Sequence, residues 1–342
     1  MTDLILWKTL HNLGQELFSL KPWVYLDEID IFGVKSPETD KEYFISIMGS
    51  NHKVYALSAY EGAAAIGRFW DIQNSNGTLP PETILTIPHF MISLNDRQMV
   101  PDDQAKLIKQ LGLLYRGKNG WLTFHRVDPG MFPATPDSTK LNDLRFILEQ
   151  SIDVIRRAIV DQSLIYPEDD AEEDYLFRVA AINGESLEWS DLHRVVTFPN
   201  LSIRLDLDPS LFTSLNSIAI AGNFLQVDLI LLANPIREKG IPPYFPFALV
   251  LVDGKTGFVY GVELIRPLPD YDALLSSIPE VLLQKLIDVR FHPSSIKYRH
   301  PDLKIIMEFI GQQANIRIEF SPKLPALDKA MRSLMAKLQS SR

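Results

Sequence analysis

Two halves of the sequence carry the same succession of hydrophobic patterns, and this succession restricts the fold more than any other feature of the chain. In each half, three short strand-like stretches joined by turn residues predict an antiparallel meander. Helix-like stretches, in which apolar residues recur every three or four positions, then alternate with two further strands. The predicted order in both halves is βββαβαβα. The predicted strands are residues 29–34, 43–48, 54–60, 89–94 and 121–127 in the first half and residues 224–232, 245–252, 258–265, 295–298 and 316–320 in the second.

This element order resembles that of the ribonuclease-H-like fold, which has a three-stranded meander followed by two parallel strands. Right-handed crossovers would place strands four and five beside strand one, which predicts the sheet order 3-2-1-4-5. The expected fold class is therefore α/β, with two tandem mixed-sheet domains and an inserted β-hairpin that has no counterpart in the first half.

The length of 342 residues suits two domains, and local composition suggests where they meet. Residues 166–174 hold six acids in nine positions, which predicts a solvated linker. We expect an N-terminal α/β domain over residues 1–165, a β-hairpin element over 175–215 and a C-terminal α/β domain over 216–342.

Composition excludes several classes of protein. The net charge of −9 is spread evenly along the chain, which makes nonspecific binding to nucleic acid an unfavourable interpretation. Cysteine is absent, which suits a reducing compartment and rules out thiolate metal sites. No stretch reads as a signal peptide or membrane span, so we expect a soluble cytoplasmic protein.

Motifs for nucleotides, dinucleotides, zinc and serine catalysis are missing. The nearest approach is Gly62–Phe69, which opens a helix after a strand but has Arg68 and Phe69 where a phosphate-binding loop needs Lys and Ser or Thr. Small residues that allow a helix to pack closely on a sheet explain this stretch equally well. We therefore expect no cofactor and no metal, and the sequence favours a protein without catalytic activity.

The ribonuclease-H-like resemblance nevertheless implies positions for carboxylates that would hold two divalent ions. They lie on the first strand, after the fourth strand and in the flanking helices. The candidates are Asp30, Asp96 and Asp143, with Glu61, in the first half and Asp228, Asp302 and Asp328 in the second. Helix caps and first helical turns also favour acids, so a structural role for these residues stays open.

One stretch combines aromatic and basic residues around a turn and could form a contact surface for a partner. Its residues are Arg116, Lys118, Trp121, His125 and Arg126. The alternative is a loop with a core tryptophan and solvated charges.

A set of short motifs between residues 20 and 133 belongs to a resemblance that covers nearly the whole chain. They are Leu20-Lys21-Pro22-Trp23, Phe32-Gly33-Val34, Met48-Gly49, Tyr60-Glu61-Gly62, Leu111-Gly112-Leu113, Tyr115-Arg116-Gly117, Asp128-Pro129-Gly130 and Pro133. Together they resemble a bacterial family known only as domains of unknown function, in which such a domain precedes a second strand–helix domain. The resemblance implies a cytoplasmic bacterial protein and assigns no activity, cofactor or catalytic residue.

The function that the sequence favours is thus binding or protein interaction, with a protein partner or self-association both open. One alternative is a divergent ribonuclease-H-like, metal-dependent phosphodiesterase. A second is binding of a small ligand in a cleft between the domains.

Overall fold

The chain folds into two compact units, each with its own sheet and core. The computed structural model describes residues 2–75, 81–165, 174–183, 186–199 and 203–340. The first unit comprises Met1–Asn74, Ile87–Asp128 and Pro133–Pro199, and the second comprises Ser75–Thr86, Pro129–Phe132 and Asn200–Arg342. The predicted acidic linker lies outside the described residues except for Asp174, which begins a strand.

Within the described residues, the first unit contains four α-helices and seven strands. They are α1 (Thr2–Ser19), β1 (Phe32–Lys35), β2 (Glu42–Met48), β3 (Tyr55–Glu61), α2 (Gly62–Asn74), β4 (His89–Asn95), α3 (Asp102–Gln110), β5 (Trp121–Val127), α4 (Leu141–Val160), β6 (Asp174–Asn183) and β7 (Ser186–Val195). The predicted succession βββαβαβα is present and follows the N-terminal helix α1.

The pairing of these strands differs from the prediction. The sheet order is β5-β4-β3-β2-β1-β6-β7, and each neighbouring pair from β1 to β5 is antiparallel. The order 3-2-1-4-5 is therefore wrong for the first unit. The reason is that α2 does not carry the chain across the sheet: β4 returns along the free edge of β3, with Ile92 opposite Leu57. The place beside β1 is taken by β6, which pairs with it in parallel.

Side-chain alternation along the strands creates a core on each face of this sheet. Tyr43, Ile45 and Ile47 of β2 belong to the larger core, which also contains the apolar stripes of α1 and α4. The intervening positions face the other way, where the ring of Tyr60 lies 5.0 Å from that of Phe69 on α2. Helices thus cover both faces of the sheet.

The hairpin of β6 and β7 forms one edge of the first sheet, although the sequence sets it apart as a separate element. Gly33 of β1 stands opposite Phe177 of β6, and a Cβ at Gly33 would overlap the Phe177 ring. Asp191 of β7 bonds to Arg157 of α4 and to Arg178, the latter at 3.2 Å. Two features therefore fix the hairpin to this unit. Gly33 allows β6 to lie close to β1, and Asp191 forms ion pairs with Arg157 and Arg178.

One glycine of α2 has a packing role. A Cβ on Gly67 would lie only 3.1 Å from Phe198, so the small residue lets the chain after β7 approach the helix. A Cβ on Gly62 would meet no atom within 4 Å, and its φ of 83° explains glycine at that position instead.

Within the described residues, the second unit contains four further α-helices and five strands. They are α5 (Pro209–Asn216), β8 (Ile220–Leu231), β9 (Phe247–Asp253), β10 (Val259–Ile265), α6 (Tyr271–Asp288), β11 (His292–Tyr298), α7 (Lys304–Ala314), β12 (Arg317–Phe320) and α8 (Pro325–Ser340). The sheet order is β10-β9-β8-β11-β12, which is the predicted order 3-2-1-4-5. β8, β9 and β10 form an antiparallel meander, and β8, β11 and β12 are parallel.

The two faces of this sheet are covered unequally. α5, α6 and α7 pack on one face and build the main core of the unit. On the other face, Leu324 and Leu327 at the start of α8 pack against Ala248, Val250 and Val252 of β9. Helix α5 is not among the predicted elements, although Asp208 at its N-cap and Pro209 at its first position are normal start signals. No helix among the described residues has both the length and the apolar character needed to cross a membrane.

A short segment from the N-terminal half belongs to the second unit. The backbone N–H of Gly130 donates to the carbonyl of Leu85 at 2.9 Å, and the N–H of Phe245 donates to the carbonyl of Gly130 at 2.8 Å. Gly130 has φ of 75°, and a Cβ there would lie 2.7 Å from Pro267. The motif Asp128-Pro129-Gly130 therefore needs glycine for both conformation and space.

Candidate functional site

Two of the predicted carboxylates in the second unit meet at one arginine. Asp228 lies on β8, Arg299 directly follows β11, and Asp328 is in the first turn of α8. The parallel register pairs Val227 with Tyr298, which puts the next residues, Asp228 and Arg299, side by side. Arg299 Nε and Nη2 donate to Asp228 Oδ2 at 2.9 and 2.6 Å, and Nη1 donates to Asp328 Oδ1 at 2.9 Å.

The polar atoms of this group form hydrogen bonds within the protein. The Asp228 side chain is 5% exposed, and its second oxygen accepts a hydrogen bond from the Leu229 N–H at 3.1 Å. Burial raises the pKa of Asp228, while the charge and hydrogen bonds of Arg299 act in the opposite direction. Burial also works against the charge of Arg299, but the two carboxylates raise the pKa of the guanidinium. The arginine thus orients both carboxylates and offsets one of their two negative charges.

The third candidate of this half, Asp302, is held by different groups. Its carboxylate accepts a hydrogen bond from the Tyr271 hydroxyl at 2.7 Å and lies 3.9 Å from His300 Nδ1. Asp302 is buried at the start of α7, where it links this helix to the start of α6.

These residues do not fit the two divalent ions that the ribonuclease-H-like resemblance implies. Metal catalysis of that kind needs carboxylates that converge on cations. Here Asp228 and Asp328 converge on a guanidinium, which already supplies positive charge and hydrogen-bond donors. No group of three or more His, Asp or Glu side chains that could hold a metal ion occurs in the part of the chain that the structure describes.

The first unit contains a comparable arrangement. Lys41 Nζ donates to Asp143 Oδ2 at 2.9 Å and lies 3.5 Å from Glu61 Oε1. Arg126 Nη1 lies 2.6 Å from the other oxygen of Glu61, and Arg126 Nε bonds to Asp128 at 2.8 Å. Two carboxylates predicted from the sequence, Glu61 and Asp143, therefore meet here as well, again around a cation.

The remaining candidates of the first half, Asp30 and Asp96, hold local backbone. Asp30 is buried, which raises its pKa, and its carboxylate accepts a hydrogen bond from the Asp27 N–H at 2.6 Å. Asp96 accepts one from the Asn119 N–H at 2.8 Å and so links the loops before and after α3. Both carboxylates thus bond to backbone N–H groups of loops and not to a helix cap.

The exposed part of the predicted contact patch consists of Arg116, Lys118 and Trp121. Arg116 and Lys118 are exposed, and Trp121 is half-buried at the start of β5. The guanidinium of Arg97, which the sequence analysis does not include, lies 5.0 Å from the centre of the Trp121 ring. This distance is typical of a cation–π contact, so the tryptophan orients a third basic side chain at this surface.

His125 and Arg126 do not belong to this exposed surface. His125 is half-buried, and this burial lowers its pKa. Arg126 is buried in the Glu61 network, with its guanidinium 4.9 Å from the ring of Phe90. Consecutive residues of β5 point to opposite faces of the sheet, so His125 lies on the face of Trp121 and Arg126 on the other, and neither side chain is exposed.

Two basic residues that each contact two carboxylates, Arg299 and Lys41, are not among the predicted site residues. A signal for Arg299 existed, because a basic residue stands directly after the fourth strand of the second half, where the resemblance calls for an acid. Lys41 offered no such signal, since its role depends on Asp143, about one hundred residues away.

Comparison with known families supports the two-part organisation. Residues 7–178 match the family model described as Domain of unknown function (DUF7309), and residues 214–335 match the one described as Domain of unknown function (DUF6930). No curated protein matches the chain. The resemblance drawn from the short motifs is therefore confirmed. Because the first match covers half of the chain, the protein belongs to the DUF7309 family.

Proposed function

We propose that this protein is a non-catalytic binding protein whose second unit is a ribonuclease-H-like domain with an arginine in place of the metal. The fold part of this proposal is supported by the sheet order β10-β9-β8-β11-β12 and by the order βββαβαβα. The first strand and the last helix supply the carboxylates of Asp228 and Asp328. The residue after the fourth strand, which should be an acid in the catalytic arrangement, is Arg299.

The observation that carries the proposal is the bridge from Arg299 to both carboxylates. Two divalent ions about 4 Å apart would have to clamp the attacking and leaving oxygens of a phosphodiester. A guanidinium cannot coordinate an oxygen as a metal does, and it offsets one of the two negative charges that would attract a metal ion. Binding, rather than hydrolysis, is the activity that this arrangement supports.

We also propose the exposed patch of Arg97, Arg116, Lys118 and Trp121 as a contact surface for an acidic segment of a partner protein. It is supported by the cation–π contact and by Leu114, which is 83% exposed beside the basic residues. A labelled peptide with alternating Glu and Phe should bind at low salt, and R116E/K118E should abolish the binding. Equal binding by the variant and the wild type would contradict this surface.

The proposal places the protein in the bacterial cytoplasm. It is supported by the motif resemblance and by the absence of cysteine from the sequence, which therefore gains no disulfide in an oxidising compartment. Fractionation of a bacterium that produces the protein should recover it with cytoplasmic markers, and recovery from the periplasm would contradict this placement.

The main test asks whether the carboxylate pair accepts a metal only after the arginine is removed. Titration calorimetry with Mn²⁺ would compare the wild type, R299A and the matched double variant R299A/D228N, each checked for folding by circular dichroism. We expect no Mn²⁺ uptake by the wild type, binding of Mn²⁺ by R299A, and loss of that binding in the double variant. The reason is that R299A leaves two carboxylates oriented toward one vacated position.

A catalytic assay completes this test. The wild type with Mn²⁺ should not hydrolyse bis(p-nitrophenyl) phosphate above the metal-only background. Hydrolysis that disappears in D228N, or Mn²⁺ binding by the wild type that D228N removes, would overturn the proposal.

A further inference from the structure

The face of the second sheet that carries α8 is only partly covered. α8 packs over β8 and β9, and an open groove remains between this helix and the β9–β10 hairpin. The groove has a volume of about 580 Å³. This value falls within the range of small-molecule sites, which is roughly 300 to 1,000 Å³.

The lining of the groove is mainly apolar. Val250 of β9 and Val262 of β10 come from the sheet, and Ala330, Met331 and Leu334 come from α8. Leu334 is 37% exposed although it is a large apolar side chain. A ligand with an apolar portion would remove this surface from water, and the flexible Met331 could adapt to its shape.

The charged groups of the groove suit an anion. Lys255 and Lys329 supply two ammonium groups, whereas the Ser333 hydroxyl already donates to the carbonyl of Lys329 at 3.0 Å. No acidic residue appears among the described residues that line the groove. Neither lysine forms an ion pair with any described residue, so their charges are not neutralised by the protein within that part of the chain.

The turn that carries Lys255 is held in place before any ligand binds. Asp253 accepts hydrogen bonds from the backbone N–H groups of Lys255 and Thr256 at 2.9 and 2.8 Å. Its second oxygen accepts one from the Asn223 amide at 2.8 Å. A turn fixed in this way reduces the entropy lost when an anion is bound.

A smaller cavity of about 390 Å³ in the first unit lacks this character. It is lined by Lys35 and Arg194 among others, but Lys35 bonds to Asp40 at 2.8 Å and Arg194 to Glu42 at 2.6 Å. Its cations are already paired, so the groove beside α8 is the stronger site for an anion.

We propose that the groove between α8 and the β9–β10 hairpin binds an amphipathic anion, a small molecule with one carboxylate or sulfonate and an apolar tail. The anionic group lies between Lys255 and Lys329, and the tail lies on the valines of the sheet and the apolar residues of α8. This site goes beyond the proposed function and does not involve Arg299, so either proposal can fail without the other.

The test uses two probes of this chemistry. Binding of dodecanoate below its micellar concentration would be measured by calorimetry, and binding of 1-anilinonaphthalene-8-sulfonate by fluorescence. Dodecyltrimethylammonium, which has the same tail and the opposite charge, is the control ligand. We expect saturable binding of both anions with one site per chain, and no binding of the cation.

Two variants locate the site. K255E/K329E should weaken dodecanoate binding at least tenfold, because it reverses both charges next to the anion. The matched control K239E/K304E makes the same change in net charge at exposed lysines of the same unit that do not line the groove, and it should bind like the wild type. A330W should block the tail and abolish binding of both probes.

The proposal is overturned if neither anion binds saturably to the wild type, or if the cation binds as well as dodecanoate. It is also overturned if K255E/K329E and K239E/K304E, both folded by circular dichroism, bind dodecanoate equally. Should A330W fail to fold, the pair of lysine variants still decides the outcome.

Discussion

Replacing Arg299 with Met is the most informative single change in the second unit. Methionine keeps much of the length of the side chain but removes the guanidinium that bonds to Asp228 and Asp328. The Asp228 carboxylate, whose side chain is 5% exposed, then remains buried without a charged partner.

The expected cost follows from that burial. Removal of one partner of a buried ion pair costs about 3 to 5 kcal/mol of unfolding free energy, mainly because the other charge stays uncompensated. Since the Arg299 side chain is 26% exposed, water can partly replace it, and we expect a loss of about 3 kcal/mol at pH 7. D328N should cost less, about 1 kcal/mol at most, because the Asp328 side chain is 33% exposed.

The loss should also depend on pH. Burial already raises the pKa of Asp228, and without Arg299 nothing of comparable strength opposes that effect. The folded R299M variant would then hold a proton on Asp228 that its unfolded chain releases. The contribution of Asp228 to the stability of the variant is therefore greatest at low pH and decreases as the pH rises, by up to about 1.4 kcal/mol per pH unit. The difference between R299M and the wild type should be smaller at pH 5 than at pH 7.

The assay must separate the two units. All five tryptophans, Trp7, Trp23, Trp70, Trp121 and Trp189, lie in the first unit, so their fluorescence reports on that unit. Hydrogen exchange at the amides of β8 and β9 reports on the second. We expect R299M to accelerate exchange in β8 and β9 while the fluorescence midpoint in urea stays unchanged.

Three results would refute this reasoning. The first is a loss below 1 kcal/mol for R299M at pH 7, and the second is an equal loss at pH 5 and pH 7. The third comes from R299M/D228N, which removes the uncompensated charge and should recover most of the lost stability. A double variant as unstable as R299M would show that packing, not charge, is the cause.

Two further predictions concern the first unit. Burial lowers the pKa of His11 and His89 from 6.5 to about 4, so the unfolded chain binds protons below pH 6.5 that the native state excludes. The free energy of unfolding of the first unit should be highest above pH 6.5 and decrease toward pH 4, by about 2 kcal/mol per histidine at pH 5. H11Q should remove about half of this decrease. A fluorescence midpoint in urea that does not change between pH 7 and pH 5 would contradict this prediction. G33A should cost about 1 to 3 kcal/mol because its Cβ overlaps the Phe177 ring, whereas G222A, with no atom within 4 Å of its Cβ, should change thermal stability little. Equal effects of the two substitutions would show that the close approach at Gly33 is unimportant.

Local patterns were sufficient to locate most helices and strands. The strand Trp121–Val127 has the bounds that its alternation predicts, and the turn Asp253–Gly257 joins two strands as its residues indicate. Such features depend on residues that are neighbours in the sequence, so a single sequence is enough to predict them. The same patterns could not decide which strands pair. A helix between two strands satisfies the same local rules whether the chain crosses the sheet, as before β11, or returns to the same edge, as before β4.

For the candidate site, too, the sequence predicts one part of the arrangement and the tertiary structure decides the other. Residue type and position in an element order were enough to single out Asp228 and Asp328 as acids at related places. Their actual partner, Arg299, is fixed by the parallel register of β8 and β11, which joins residues 71 positions apart in the chain. The net charge of a site depends on all the side chains that tertiary contacts bring together. The sequence by itself therefore determined where carboxylates stand, and only the tertiary structure decided that an arginine lies between them.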